Sequence, residues 1–399
     1  MAVAPDCFGA DRGRAARGRS PLGGSACCPQ TCVAHHRHRL AINVEVPLKI
    51  LVTGGTGFVG GHVAGRLSAD GHVVTILSRA RSRPDELPRS AQVRVGDLAD
   101  PRSLRAACES QDAVIHAAGL VGASGTWADY RRVNVTGTRL LVRAAVVSGV
   151  PRLIYVSSLA VHAEPRRGEG VREASPLVRY VARWNHYVRS KLLAERIVHR
   201  AAVAGRIATV VIRPGLVLGP GDRWTTPWLL RTLSQPALLM VGDGRNAIPC
   251  VAVEDLADAI ARAVAQRGAG SDVYDIAADS VMTQRDVLAT HARAAGRIFS
   301  PIRLPGAAAR AGAVLLDVLD EVMRVQKSPP HRMAVAIAGV HAHIDSSHAA
   351  EGLGWRARGS CEDAIRRAVE WELAHNRRSQ QGSSVGKHGT GRSQPEETT

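Results

Sequence analysis

Apolar positions follow two alternating rhythms along this chain. Short apolar runs at 49–53, 72–77, 92–95, 112–116, 152–156 and 207–212 read as β-strands. Between them, at 58–70, from 100 onward, at 126–148 and at 177–204, apolar residues recur every three to four positions and read as helices. Asp100-Pro101 supplies a capping carboxylate followed by proline at the first helical position. Strands alternating with helices predict an α/β fold, a doubly wound parallel sheet with helices on both faces. Beyond Gly219 the pattern is less regular and reads as a smaller, mostly helical segment. No internal repeat is evident. Residues 1–46 and 377–399 carry no period and are expected to be disordered. The expected divisions are an extension at 1–46, a sheet-bearing core at 47–218, a substrate-binding segment at 219–376 partly interwoven with that core, and a tail at 377–399.

Composition narrows the classes. Of 399 residues 45% are apolar, ample for a buried core, and the formal charge is 52 − 35 = +17. That excess is almost all arginine, scattered rather than massed, with lysine only at 49, 191, 327 and 387 and aromatics at 4%. A nucleic-acid site favours a basic stripe with stacking rings, so no nucleic-acid partner is expected. No run of 18 apolar residues occurs, so neither a spanning helix nor stable membrane insertion is expected. The first residues lack the apolar stretch of a secretory signal. Seven irregularly spaced cysteines do not form a disulfide framework, which makes a reducing cytoplasm the expected compartment.

Candidate chemistry begins at Thr53-Gly54-Gly55-Thr56-Gly57-Phe58-Val59-Gly60, between the first strand and the first helix. Glycines three apart let the backbone turn tightly and approach a pyrophosphate, and the helix N-terminus offers free N–H groups to it. Gly54, Thr56, Gly57, Phe58, Val59 and Gly60 are therefore candidate cofactor-binding residues. The second strand lacks the acid that would hold a ribose 2′-hydroxyl; Arg79, Arg81 and Arg83 follow instead. Guanidinium groups suit a 2′-phosphate, so NADP is favoured over NAD, the alternative being a solvated arginine loop.

Tyr187 and Lys191 stand four residues apart, on one face of a helix. With five tyrosines and four lysines in the chain, such a pair arises by chance about 0.05 times. A nearby ammonium is expected to lower the phenol's pKa, letting Tyr187 exchange a proton with a hydroxyl or carbonyl oxygen. Ser157-Ser158 ends the fifth strand, where open α/β sheets place their ligands.

With these features the sequence resembles the extended short-chain dehydrogenase/reductases, the NAD-dependent epimerase/dehydratase superfamily. The likeness spans roughly residues 48–375 and rests on TGGTGFVG at 53–60, GDL at 96–98, HAAG at 116–119, NVTGT at 134–138, YVSS at 155–158, YVRSK at 187–191, RPGLVLGPGD at 213–222, VAVEDLADAI at 251–260 and LGW at 353–355. It implies a Rossmann-type sheet and a nicotinamide cofactor. It implies further that Asp97 and Leu98 flank the adenine and that Ala117, Ala118 and Gly119 line the cofactor. Ser158 would be the catalytic serine, Tyr187 the acid/base and Lys191 a ligand of the nicotinamide ribose, with Pro214 and Val217 near the nicotinamide. The dehydratases of the family place an Asp-Glu pair where this chain has Leu159-Ala160. Its sugar-nucleotide epimerases carry an asparagine near Arg213-Pro214-Gly215. The chain looks more like the 3β-hydroxysteroid dehydrogenase and dihydroflavonol reductase branch. The expected function is hydride transfer between NAD(P) and a hydroxyl or ketone of a small, fairly apolar molecule. The alternatives are a sugar-nucleotide epimerase with tightly held NAD and a non-catalytic scaffold; the family often forms homodimers.

Two further features remain. Cys27, Cys28, Cys32, His35, His36 and His38 are possible zinc ligands, but their spacing fits no zinc-finger pattern and no metal site is expected. Residues 305–325 are rich in alanine and leucine. They read as a helix covering the substrate pocket rather than a membrane-surface helix, because Arg310, Asp317, Asp320 and Glu321 interrupt the apolar face.

Overall fold

The computed structural model describes residues 46–80, 87–122, 125–165, 169–235, 238–266, 270–323 and 331–385. Arg81, Arg83 and the Cys27–His38 cluster lie outside them. The main sheet consists of β1 (Lys49–Thr53), β2 (Val73–Ser78), β3 (Gln92–Val95), β4 (Ala113–His116), β5 (Arg152–Val156), β6 (Ala208–Pro214) and β7 (Ser271–Ile276). Its order is β3-β2-β1-β4-β5-β6-β7, every pair parallel. Ile50 of β1 lies between Val74 of β2 and Ala113 of β4. The chain departs in opposite directions from β1 and β4, which opens a crevice beyond their carboxyl ends.

Alternation along the strands builds two apolar layers. Ile50 and Val52 join Ile76, Ile115, Ile154 and Ile212 beneath α1 (Phe58–Ala69) and the helix Val253–Ala265. Leu51 faces the other way, with Val114, Leu153 and Val211, beneath the helices Pro101–Cys108, Thr138–Val147 and His186–Val203. Asp100 caps its helix through the N–H groups of Arg102 and Ser103. Across 126–148 a Thr126–Asp129 capping box starts Trp127–Tyr130, a wider π-helical turn spans Arg131–Gly137, and Thr138–Val147 completes the helix.

Three expectations change. The helix expected over 177–204 is His186–Val203. Asn185 caps it by accepting from the Val188 N–H, while Leu177 bridges His162 and Val178 packs against Val161 and Val188 instead of coiling. The segment after Gly219 supplies β7 to the main sheet, a strand hidden in the sequence because Asp272 and Asp275 interrupt its apolar run. The helix Cys361–Val385 runs through residues 377–385, expected to be disordered. Arg and Gln there are good helix formers extending a helix already nucleated by packing.

Gly60 shows how tightly α1 meets β1: an added Cβ would lie 2.6 Å from the Gly54 carbonyl carbon and 2.9 Å from the Gly55 nitrogen. Backbone cannot yield as a side chain can. Gly60→Ala is expected to cost about 1–3 kcal/mol of stability, read as a lower midpoint in urea denaturation; an unchanged midpoint would refute this packing argument.

Candidate active site

The turn after β1 is held by Gly57 N–H donating to the Gly54 carbonyl at 2.9 Å. Gly54 sits at φ +76°, and a Cβ there would lie 2.6 Å from the Ala118 nitrogen. A side chain would therefore meet both backbone strain and the end of β4. α1 starts with no side-chain cap and no acid in its first turn. Its first N–H groups and positive dipole end are left available beside residues that line a large cavity. A glycine cradle under an uncapped helix start fits a dinucleotide pyrophosphate.

That cavity measures about 1470 Å³ and brings together every candidate site residue, from the glycine turn through Arg79, Asp97, Leu98 and 117–119 to Ser158, Tyr187, Lys191, Pro214 and Val217. Arg79 is exposed on it. Its further walls come from 163–184 and from the segment after Gly219, including Val171, Val178, Ile248, Val335 and Val340.

Tyr187 and Lys191 project from the first turns of His186–Val203. The phenol is half-buried and lines the cavity together with Ser158. Burial raises its pKa, and the Ser158 hydroxyl acts in the opposite direction without overcoming it. The expected lowering by Lys191 is not what the geometry produces: Nζ lies 5.9 Å from the Tyr187 ring centroid and donates to the Val156 carbonyl at 2.8 Å. Lys191 is itself 5% exposed, and burial pulls its pKa down to about 8 against the opposing charge of Glu195.

Several polar residues that hold this site carry no individual role in the motifs. His116 links Thr53 Oγ1 (2.8 Å, Nδ1) to Thr138 Oγ1 (2.9 Å, Nε2). Thr138 spends its proton on the Asn134 carbonyl, so His116 Nε2 donates and Nδ1 accepts from Thr53. Burial, and then the charge of Lys191, press the His116 pKa down to about 3, so it stays neutral. Asn134, in the π-helical turn, binds both the N–H and the carbonyl of Leu120 and donates to Ser190. Such turns recur at functional sites, a signal visible only in the backbone.

On the other side, Glu195 accepts from Ser157 Oγ at 2.7 Å and from Arg213 Nε at 3.1 Å, with Arg213 Nη2 completing the pair. Arg213 Nη1 lies 3.7 Å from Asp275, which accepts from His162 Nε2 at 2.8 Å. All of these side chains are buried. Glu195 could have been suspected, being four residues beyond Lys191 on the same helix face.

Comparison with known proteins follows the same outline. The model of the NAD dependent epimerase/dehydratase family matches residues 50–277, more than half of the chain. The chain is 35% identical over 213 residues to a 2-alkyl-3-oxoalkanoate reductase of Stenotrophomonas maltophilia, covering 53% of this chain and 63% of that protein. It is 29% identical over 326 residues to a 4-hydroxy-2-methyl-3-oxo-4-farnesyl-3,4-dihydroquinoline-1-oxide ketoreductase of Stigmatella aurantiaca, covering 80% and 96%. The crystal structure of gox2253 superposes with a TM-score of 0.69 at 27% identity, covering 82% of this chain and 98% of that one.

Four lysines make the Lys191 amine resolvable by NMR of ¹⁵N-lysine-labelled protein. It is expected to titrate near pH 8, well below the ordinary lysine value of 10.5. Glu195→Gln removes the negative charge that favours the ammonium and should move the titration to lower pH. A Lys191 signal titrating at the ordinary lysine value would contradict this account.

Proposed function

The chain belongs to the NAD dependent epimerase/dehydratase family, and from that premise we propose that it is a nicotinamide-dependent reductase acting on a ketone of a small, largely apolar molecule. The observation that carries this reading is the Tyr187 phenol, which lines with Ser158 the same cavity as the uncapped start of α1. No acid pair follows Ser158, so the separate acid and base that elimination of water requires are missing there. Both named relatives are ketone reductases, and apolar side chains form much of the cavity wall beyond Tyr187.

In this reading Gly54, Thr56, Gly57, Phe58, Val59 and Gly60 hold the pyrophosphate. Asp97 and Leu98 border the adenine, Ala117, Ala118 and Gly119 line the middle of the cofactor, and Pro214 and Val217 border its nicotinamide end. When bound, the nicotinamide supplies hydride to the substrate carbon. Ser158 and Tyr187 address the substrate oxygen, and Tyr187 donates its proton as charge develops there. Its raised pKa keeps the phenol protonated and ready to donate. The Lys191 ammonium, anchored on the Val156 carbonyl, binds the nicotinamide ribose. Arg213 is tied to Glu195 and Asp275 rather than turned to the cavity, which favours a reductase over an epimerase that would bind a sugar diphosphate there. NADP is the preferred cofactor, supported by the exposed Arg79 at the end of β2. The buried free cysteines 108, 250 and 361 support a reducing, cytoplasmic compartment.

Tyr187→Phe is expected to lower kcat about 10²- to 10⁴-fold while nucleotide binding, followed by fluorescence titration, persists. Unchanged turnover of a ketone substrate in that variant would eliminate the mechanism. NADPH is expected to give the higher kcat/KM, and Arg79→Ser should narrow its lead over NADH by about tenfold. A wild-type preference for NADH would reject the cofactor assignment.

A further inference from the structure

The helix Gly306–Val322 carries its paired charges on the inside. Asp317 accepts from Arg332 Nε at 2.6 Å and from the His331 N–H at 2.6 Å, and Asp320 pairs with His331 Nε2 at 3.2 Å. Both carboxylates thus turn toward the helix His331–Ala338 and do not interrupt the outer face, contrary to the expectation from sequence. Arg310, Ala313 and Val314 line the cavity. Glu321 is exposed but falls between Arg310 and Val314 at 100° per residue, and the positions beyond Val314 form an arc of about 200° without a charge. Leu315, Leu316, Val318, Leu319, Val322 and the adjoining Met323 are 42–75% exposed on it. A helix facing water has the opposite polarity.

We propose that this face docks reversibly on the surface of an anionic phospholipid bilayer, the helix lying in the interface plane. Among the described residues no helix is long and apolar enough to cross a membrane, so the contact is peripheral. Charge favours this partner. From residue 287 to 316 the chain has no acid but carries Arg293, Arg297 and Arg303, all exposed before the helix begins, and the same stretch exposes Ile298 at 93% and Ile302 at 54%. Arginines flanking an exposed apolar face suit acidic headgroups above acyl chains. Size disfavours a second copy of the chain. One helix of 17 residues offers a face of about 26 by 10 Å, roughly 250 Å², well short of the ~800 Å² per partner of a stable interface. The proposal stands on this helix and its flanks, independently of the reaction catalysed.

The test is co-sedimentation of the full chain with vesicles of phosphatidylglycerol and phosphatidylcholine in equal parts. Wild type should pellet with them, less at high salt and less with phosphatidylcholine alone. Leu315→Glu combined with Leu319→Glu should lower the partition coefficient by about tenfold or more, with thermal melting and nucleotide binding unchanged. Val322→Ser, at the most exposed of these positions, should give a smaller drop in the same direction and serves if the double variant misfolds. Failure of the wild type to pellet with anionic vesicles, or equal pelleting of the variants, would overturn the proposal. So would a wild-type dimer in analytical ultracentrifugation that the substitutions split, which would assign the face to a second copy.

Discussion

Burying the ammonium of Lys191 strips it of water, and the residues around Tyr187 answer that loss. The Val156 carbonyl takes one N–H, and Glu195, one turn along the helix, supplies the opposing charge. Glu195 is buried in its turn and is balanced by Arg213 and Ser157. Removing one member of such a set leaves an unpaired buried charge, typically worth about 3–5 kcal/mol. The same contacts that keep Lys191 charged therefore fasten His186–Val203 to the carboxyl ends of β5 and β6.

The chain of polar contacts continues into the last strand. Arg213 reaches Asp275, and Asp275 holds His162 Nε2. An ionised carboxylate can only accept, so His162 donates through Nε2. Asp275 belongs to β7, which the chain contributes only after the helix Val253–Ala265. Sheet edge and site are thereby coupled: β7 closes the sheet beside β6 and supplies the carboxylate that anchors His162 on the cavity wall.

The opposite half of the site is built on close backbone approach rather than charge. Gly54 brings the first turn against Ala118, His116 ties the ends of β1 and β4 to Thr138, and Asn134 fixes Leu120. Keeping His116 neutral avoids a second positive charge beside Lys191. The two halves meet at the sheet's switch point, so the glycine cradle and the Tyr187 phenol open onto one cavity.

Local signals in the sequence were sufficient for β1 to β5, the glycine turn and the Tyr187–Lys191 pair. Strand alternation, a turn that only glycine tolerates and an i, i+4 spacing are each written within a few residues. They did not reveal where His186–Val203 begins, because Asn185 and the bridge of Leu177 to His162 outweigh the apolar period there. Nor did they reveal β7, whose Asp275 would be costly to bury without a histidine 113 positions away and the arginine of the neighbouring strand. The helix Gly306–Val322 makes the same point. Its composition shows three acids, but only packing against Arg332 and His331 decides that two of them face inward and leave an apolar surface outside. The sequence by itself determined the elements and the reactive pair, whose signals are local. Tertiary structure decided the polar partners and the outward faces, because a buried charge is tolerable only where distant segments bring its counterpart.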